Sequence, residues 1–435
     1  MNPTRRRVLA AVGGAAATLA TAACSGTLPK VRLAAGTGRA RGTVRFWYRA
    51  GTQQSVAAMI AAFHRAQDRI RVQATPVVDG QYVTKLATTI RSGHVPDLVD
   101  MDDINSTLFV YRDAFADLTE AVAALPYRRR LSPGHLRLGT RDGRHYAVPF
   151  FADNSALACN TELFRRAGLD LDASTRDFAG LLHAARAISR LGDDVHGWYL
   201  PGNGAGALAF TVLPQVWASG GRLIRGAVGS QHADVAHNEG LRATLTLLST
   251  MWRERLMPRT CFSDDGSRWT GEFLAGRIGM LPCSYGNIVV DADPAFLRTV
   301  RYVLLPGQHG GHSFFDGGDN FAIPNGAQNP DAAWEFVRFC LDVARQQTLP
   351  QSNYLPVRAD ALTDRYRRRY PLTVPPLADI SAGYAPPCLA YNLIFNQANA
   401  PWLTMLRRAV FGGDVTGAMA EGQRGYDTLL RQAQL

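Results

Sequence analysis

The feature that most limits the possible folds is an alternation of strand and helix patterns near the start of the chain. Three β-prone runs alternate with two segments whose apolar residues recur at helical spacing. In chain order the five segments are Val44–Tyr48, 53–67, Ile70–Ala74, 82–93 and Asp97–Met101. A βαβαβ series of this kind requires a parallel sheet with helices packed on both faces.

Ligands of such open sheets bind beyond the carboxyl ends of the strands. In this chain the loops at those ends cover residues 49–53, 78–82 and 102–106. The pattern therefore predicts a binding site near the ends of the first and third strands. The candidate residues there are Trp47, Tyr48, Asp102 and Asp103.

A second organisation begins near Tyr146, and it is mainly helical. Helical patterns cover residues 161–167, 177–190, 206–218, 240–255, 270–276 and 330–342. Short β-prone pieces at 196–199, 277–281, 300–304 and 321–324 separate them. With 435 residues, 46% hydrophobic and 19% charged, the chain can build more than one large core, which excludes a disordered protein. No apolar run reaches the roughly 20 residues of a membrane-spanning helix.

The amino terminus has the pattern of an export signal. Arg5, Arg6 and Arg7 precede an uncharged, Ala- and Gly-rich stretch that runs from Val8 to Ala23 and ends at Cys24. This pattern predicts a signal peptide over residues 1–23, with the twin arginines compatible with twin-arginine export, and lipidation of Cys24. Residues 24–41 are then a flexible, lipidated tether. We expect the mature protein to be anchored to the outer face of the cell membrane; a buried N-terminal helix is the alternative.

Several stretches, in one order, resemble the bacterial extracellular solute-binding proteins of the carbohydrate type, the receptors of ABC importers. The order includes the leader and the strand Val44–Tyr48, and it spans nearly all of the mature chain. The other stretches that carry the resemblance are 96–103, 143–149, 160–169, 217–221, 273–280, 317–324 and 354–358.

The resemblance implies an α/β, two-lobed periplasmic-binding-protein-like fold with the ligand in a cleft between the lobes. It places three crossovers near Pro149, Gly317 and Tyr354. The first lobe would comprise residues 42–149 and 318–353, and the second residues 150–317 and 354–435. Lobes of this kind close on their ligand by a hinge motion.

Sugar recognition requires flat aromatic side chains and polar groups that hydrogen-bond to hydroxyls. Three pairs of residues each have two alternative roles at this point. Asp102 and Asp103 either bind ligand or cap the next helix, and Tyr82 and Trp217 either face the cleft or pack in a core. Asp153 and Asn154 either reach into the cleft or form a turn. The remaining candidate ligand residues are Ser284, Tyr285, Gly318, Asp319, Asn320, Tyr354 and Asn392.

Other classes of site have weak support. The five cysteines after Cys24 have no CxxC or CxxH spacing, so we expect no metal, although a Cys261–Cys283 disulfide is possible. The loop Gly202–Gly206 departs from a dinucleotide motif, and common catalytic motifs are absent, so we expect no cofactor and no enzyme activity. The arginine runs 128–130 and 367–369 are interpreted as solvated surface and not as a nucleic-acid site.

We therefore expect a monomeric, lipid-anchored receptor that captures a sugar or sugar-derived solute and delivers it to the permease subunits of an ABC importer. A disaccharide, an amino sugar and a glycerophosphodiester all fit the sequence. The alternatives are a secreted carbohydrate-active enzyme and a sensor or adhesin that binds without feeding a transporter.

Overall fold

A computed structural model describes residues 28–33 and 38–434 of the chain. The leader and the lipidation candidate Cys24 lie outside the described residues. Within them, the strands in chain order are β1 (Gly42–Arg49), β2 (Ile70–Val77), β3 (Leu98–Asp102), β4 (Thr140–Arg141), β5 (Arg144–His145), β6 (Val148–Ala152), β7 (Ser155–Asn160), β8 (His196–Trp198), β9 (Ile224–Arg225), β10 (His232–Ala233), β11 (Ile278–Ser284), β12 (Val300–Val303), β13 (Leu305–Pro306), β14 (His312–Phe315), β15 (Gly318–Ala322) and β16 (Gly383–Tyr384).

The α-helices follow the same order. They are α1 (Gln53–Ala66), α2 (Asp79–Ser92), α3 (Ser106–Tyr111), α4 (Thr119–Ala123), α5 (Pro133–Leu138), α6 (Thr161–Arg166), α7 (Leu171–Ser174), α8 (Phe178–Ser189), α9 (Ala205–Ala218), α10 (Glu239–Arg253), α11 (Gly271–Leu274), α12 (Tyr285–Val289), α13 (Pro294–Leu297), α14 (Pro330–Cys340), α15 (Val343–Gln346), α16 (Asp364–Arg369), α17 (Val374–Ala378), α18 (Pro401–Val410) and α19 (Val415–Ala433).

Two sheets divide the molecule into two lobes. The first sheet has the strand order β2-β1-β3-β15-β6, and the second has the order β13-β14-β7-β11-β8, with β12 also paired to β7 and β16 to β14. Strands β1, β2 and β3 are parallel, as the sequence predicts. The prediction of a wholly parallel sheet is wrong for β15, which runs antiparallel to both β3 and β6. The first sheet is therefore mixed.

Each lobe has its own aromatic core. In the first lobe, Phe46, Phe150, Phe321 and Phe336 pack together behind the sheet. The second lobe buries aromatic side chains of its own, among them Trp198 and Trp402. No helix in the part of the chain that the structure describes is both long and apolar enough to cross a bilayer.

Of the three expected passages between the lobes, the second lies at the expected place and the first and third are shifted. Strand β6 stays in the first sheet to Ala152, so the first passage is at Asp153–Asn154 and not at Pro149. The second passage, at Asp316–Gly317 between β14 and β15, lies at the expected place. Near the third, Leu355 exchanges two 2.8 Å backbone hydrogen bonds with Ala152, and Val357 belongs to the first core. The chain therefore remains with the first lobe beyond Tyr354.

Part of the expected tether is folded. The backbone of Leu33 donates to Asp117 at 3.1 Å, and the backbone of Val31 donates to the side chain of Asn325 at 3.0 Å. The Leu33 side chain is only 1% exposed. The expectation of a flexible segment up to Arg41 is therefore wrong for residues 29–33, which pack on the first lobe.

Candidate functional site

A cavity of about 370 Å³ lies between the two lobes. Its volume is within the range of small-molecule sites in proteins. Asp153, at the first passage between the lobes, lines it together with residues from both sides. The first lobe and its edge contribute Gly51, Gln54, Ser352, Asn353 and Tyr354, and the second lobe contributes Gly266, Trp269, Thr270, Ser284, Gly286, Asn287, Val290 and Asp291.

The end of β11 fixes one part of the second-lobe wall. Ser284 caps α12: its hydroxyl accepts from the backbone of Asn287 at 3.4 Å, and the Asn287 side chain accepts from the backbone of Ser284 at 3.0 Å. This reciprocal capping box holds both polar side chains at the cavity. Gly286 lies between them, and a Cβ there would be 2.9 Å from the carbonyl oxygen of Asn353. A glycine therefore allows the lobes to approach closely beside the cavity.

Trp269 gives the same wall a flat aromatic surface. Its side chain is about nine-tenths buried, and its indole Nε1 has no hydrogen-bond partner within the described chain. A buried indole N–H usually has a partner. No sequence pattern indicated this residue, because it lies in the irregular stretch 264–270, which has neither helical nor strand periodicity. A large aromatic residue in a Gly- and Asp-containing loop was the available signal.

An ion-pair network lies next to the cavity on the first-lobe side, and Arg49 is its centre. At the end of β1, the Arg49 guanidinium forms a bidentate pair with Asp319, with Nε donating to Oδ2 at 2.9 Å and Nη2 donating to Oδ1. Its Nη1 lies 3.8 Å from an Asp102 oxygen and 3.6 Å from an Asp79 oxygen. Because β15 runs beside β3 with Asp319 opposite Asp102, the ends of three strands meet at this one arginine.

The carboxylates of this network have raised pKa values. Burial raises the pKa of Asp102 to about 6, although Arg49 opposes the shift. Asp100 is fully buried, and burial together with nearby Asp319 raises its pKa well above the usual range. Burial also raises the pKa of Asp153, against the effects of the Ser284 hydroxyl and Arg49. When ionised, Asp102 and Asp153 can accept hydrogen bonds from hydroxyl or ammonium groups in the cleft, whereas Asp100 is buried behind them and accepts from Thr52.

A second buried cluster lies deeper, around His135 of α5. Its Nε2 is 3.7 Å from Asp103 and 3.6 Å from Asp316, and all three side chains are essentially inaccessible to solvent. Asn320 joins the cluster, because its side-chain amide donates to Ser106 and to the backbone of His135, each at 3.2 Å. Burial raises the pKa of both Asp103 and Asp316. This cluster connects α5 to the ends of β3 and β14 and to β15, and none of its residues lines the cavity.

One direct hydrogen bond joins side chains of the two lobes at the end of β3. The amide of Asn392 donates to the side chain of Asn105 at 2.8 Å, and Asn396 donates to Asn392 at 2.7 Å. Residues Asn392–Asn396 form a short π-helix, a rare conformation that is frequent at functional sites. Asn392 therefore contacts the opposite lobe.

The structure brings some of the predicted site residues together. Asp153, Ser284 and Tyr354 line the cavity, and Asp102 and Asp319 lie beside it at Arg49. The Asn154 side chain is buried at the first passage, and its Oδ1 has no partner in the described chain. Arg49 itself, like Trp269, was missed by the sequence analysis.

Other predicted residues are not at the cavity, and the reasons differ. Tyr48 packs in the first core with Phe46, and Trp47, on the opposite face of β1, lies under Lys85 of α2. Tyr82 is buried and donates to the backbone oxygen of Trp47, so its alternative role in the core is the correct one.

Trp217 likewise belongs to a core, since it contacts Phe315 and Tyr384. Tyr285 lies on the outer side of α12 and packs against the apolar residues of the first lobe. Asp103 and Asn320 belong to the His135 cluster. Gly318 has a φ of 141°, and a Cβ there would be 2.2 Å from the Phe151 oxygen, so the close approach of β6 explains this glycine.

The described cysteines, Cys159, Cys261, Cys283, Cys340 and Cys388, are all buried free thiols, so the possible Cys261–Cys283 disulfide is not present. Over residues 28–33 and 38–434, no group of three or more His, Cys, Asp or Glu side chains is arranged to hold a metal ion.

Comparisons with known proteins agree with this architecture. A family model described as bacterial extracellular solute-binding protein matches residues 58–370. The diacetylchitobiose binding protein DasA of Streptomyces coelicolor is 23% identical over 371 residues, which cover 82% of this chain and 83% of DasA.

Solved structures show the same fold. The sugar-binding protein MalE from Xanthomonas citri matches with a TM-score of 0.79 at 21% identity, covering 90% of this chain and 98% of that chain. The GacH receptor of Streptomyces glaucescens, solved without ligand and with acarbose, matches with a TM-score of 0.72 at 20% identity, covering 90% of this chain and 99% of that one. At these identities the likeness shows the two-lobed fold alone.

Proposed function

Because this chain belongs to the family of bacterial extracellular solute-binding proteins, we propose that it captures a sugar or amino sugar between its lobes and delivers it to the permease of an ABC importer. The observation that carries the proposal is the interlobe cavity, in which a flat indole lies among hydroxyl, amide and carboxylate groups. DasA and MalE, named as a diacetylchitobiose binding protein and a sugar-binding protein, support the choice of a carbohydrate.

The charge of the cavity narrows the class of ligand. Its lining contains two aspartates, Asp153 and Asp291, and among the described lining residues there is no lysine or arginine. The nearby Arg49 is already neutralised by its bidentate pair with Asp319. An anionic glycerophosphodiester would find no free cation there, whereas hydroxyl and ammonium groups would find acceptors. Neutral and amino sugars are therefore the better candidates.

We assign separate roles to the residues at the cavity. The Trp269 ring stacks on a sugar face while its Nε1 donates to a ring substituent. Asp153 and Ser284 bind hydroxyl groups, and Asp102 accepts from the ligand at the edge of the first lobe. Tyr354 is held by its ring contact with Phe151 at 4.1 Å and forms the side of the pocket.

Ligand binding and lobe motion are linked in this proposal. The passages at Asp153–Asn154 and Asp316–Gly317 are short, so a few residues there can absorb a rotation of one lobe against the other. The ligand favours the closed form because it contacts both lobes only in that form. The chain acts as a monomer.

Thermal unfolding with candidate ligands tests the proposal. We would compare chitobiose, diacetylchitobiose, maltose and glycerophosphoglycerol, which is anionic. A ligand that binds only the folded state at about one hundred times its Kd adds roughly 2.7 kcal/mol to the free energy of unfolding. We expect at least one sugar to raise the Tm and glycerophosphoglycerol to leave it unchanged. A shift with glycerophosphoglycerol alone, or with none of the four, would contradict the proposal.

The membrane anchor is a separate part of the proposal. The leader pattern that ends at Cys24 supports lipidation and residence at the outer face of the cell membrane. In the producing cell, Cys24→Ala should move the protein from the membrane fraction to a soluble pool without changing sugar binding. If the variant stays in the membrane fraction, the lipid anchor is wrong, and the sugar-binding proposal is unaffected.

A further inference from the structure

A second concave site lies between α12, α13 and β12 on one side and residues 369–375 on the other, and it has a different chemistry. We propose that this groove, with a volume of about 570 Å³, binds an anionic amphiphile, meaning a molecule with a phosphate or carboxylate head and a hydrocarbon tail. It shares no lining residue with the interlobe cavity; the two sites use different residues of α12. The inference is independent of the proposed sugar-binding function.

Three arginines, Arg298, Arg301 and Arg369, line this arginine groove, and no aspartate or glutamate is among its described lining residues. Within the described residues, Arg298 donates only to the backbone oxygen of Pro294, at 3.2 Å, and Arg369 lies over the ring of Tyr370 at 5.2 Å. Arg301 pairs with Asp172 at 2.7 Å, but both side chains are more than half exposed. Exposed pairs are weak, so an incoming anion can compete for this guanidinium.

The arginine run 367–369 reinforces the same surface. Arg367, Arg368 and Arg369 end α16 and are exposed. Their fixed positive charges raise the local concentration of anions. Guanidinium groups bind phosphate and carboxylate through two parallel hydrogen bonds, which makes a cluster of arginines well suited to such a head group.

The rest of the lining is apolar. Val289, Leu297, Leu372 and Val374 are half-buried and come from three different helical segments and the turn beside them. The sides of such a groove match hydrocarbon, because burying apolar area is worth roughly 25 cal/mol per Å². An inorganic anion would use the arginines but none of this surface.

The size of the groove favours a small amphiphile over a protein. Its volume is typical of sites that enclose a small molecule, which run from about 300 to 1,000 Å³. A stable protein partner would bury about 800 Å² of this chain's surface, which extends well beyond one groove. The same head-group chemistry could come from a membrane phospholipid or from a free amphiphile, and the experiment separates these sources.

The test uses monomeric dihexanoylphosphatidylglycerol, which is anionic, and dihexanoylphosphatidylcholine, which has no net charge, with the purified chain in a calorimeter. We expect the phosphatidylglycerol to bind and the phosphatidylcholine to bind much more weakly. Arg298→Gln combined with Arg369→Gln should weaken binding roughly tenfold or more, since charged hydrogen bonds are lost. Val374→Thr, which keeps the shape, should weaken it a few-fold.

The matched control removes two exposed arginines from the first lobe, by Arg65→Gln with Arg91→Gln, and should leave binding unchanged. Sugar binding should be the same in both double variants. Equal losses in the two double variants would show a general charge effect and overturn the proposal. Equally tight binding of phosphatidylcholine or of inorganic phosphate would also overturn the proposal. So would the absence of phosphatidylglycerol binding, a result that would favour a protein partner for the groove.

Vesicles of phosphatidylcholine with and without phosphatidylglycerol then identify the source. Retention on the anionic vesicles that falls in the Arg298/Arg369 variant, but not in the control, supports a membrane lipid. Binding of the monomer without such retention supports a free amphiphile.

Discussion

The two sides of the interlobe cavity differ in how their largest polar side chain is paired. On the first-lobe side, Arg49 and Asp319 form a bidentate pair with Asp102 beside it. On the second-lobe side, the indole N–H of Trp269 has no partner in the described chain. Buried polar groups that are mutually paired hold a fold together, whereas a buried group without a partner has a cost that a ligand can remove. We therefore expect the first side to determine stability and the second to respond mainly to ligand.

The largest loss of stability should come from removing one partner of the Arg49–Asp319 pair on the first-lobe side. Asp319→Ala leaves the Arg49 guanidinium without its bidentate partner in a largely buried site, and such losses cost about 3–5 kcal/mol. Urea unfolding should show this loss in the free energy of unfolding. Asp79→Asn, which alters a more exposed partner of the same arginine at 3.6 Å, is the control and should cost less than about 1 kcal/mol. Equal effects of the two variants would contradict the assignment.

The second-largest expected effect concerns Asp102, which lies at the edge of the first lobe. Asp102→Asn keeps the shape but removes the charge, so sugar affinity should fall roughly tenfold to a hundredfold, the equivalent of about 1.5–3 kcal/mol. The Tm should change little, because asparagine keeps both the shape and an acceptor oxygen at the start of the following helical turn. Calorimetric titration and thermal unfolding together check this. Early unfolding with normal binding would make Asp102 a structural residue.

The raised pKa of Asp102 adds a pH dependence with a definite sign. Because its pKa in the folded state is about 6, above the unfolded value, its ionisation disfavours folding. Its contribution to stability is therefore greatest below the unfolded pKa and is lost as the pH rises towards and through 6. Sugar affinity should change in the opposite direction, falling as the pH drops through about 6. Asp102→Asn should flatten the affinity profile; an unchanged profile would assign the titration to another group.

The smallest expected effect concerns Trp269 on the second-lobe side of the cavity. Trp269→Phe keeps an aromatic ring and removes the indole N–H, so sugar affinity should fall a few-fold while the free energy of unfolding changes by less than about 1 kcal/mol. Trp252→Phe, at a half-buried position of the second lobe away from the cavity, is the control for the loss of a tryptophan. Wild-type affinity in Trp269→Phe would show that the indole N–H does not contact the ligand.

The same contrast explains what could be predicted from sequence. Strands β1, β2 and β3 and the position of Asp102 follow from local periodicity, which is why the parallel part of the first sheet was predicted correctly. The alternation Val44, Phe46, Tyr48 also contained the information that Tyr48 points into the core. Membership of a solute-binding family confirms the prediction that the chain is not an enzyme.

Long-range partners were not predictable in this way. The pairing of Arg49 with Asp319 joins residues far apart in the chain, and only the antiparallel entry of β15 brings them together. Trp269 lies in a loop without periodicity, so no pattern indicated its orientation. The contact of Asn392 with Asn105 depends on a π-helix, for which the sequence has no regular signal.

The most direct test of the central claim is a crystal structure grown with the sugar that gives the largest thermal shift. We predict that the sugar lies in the interlobe cavity, with a ring on the Trp269 indole, Nε1 donating to it, and Asp153 and Ser284 hydrogen-bonded to its hydroxyl groups. An empty interlobe cavity, with the sugar bound on the surface of one lobe, would contradict the account.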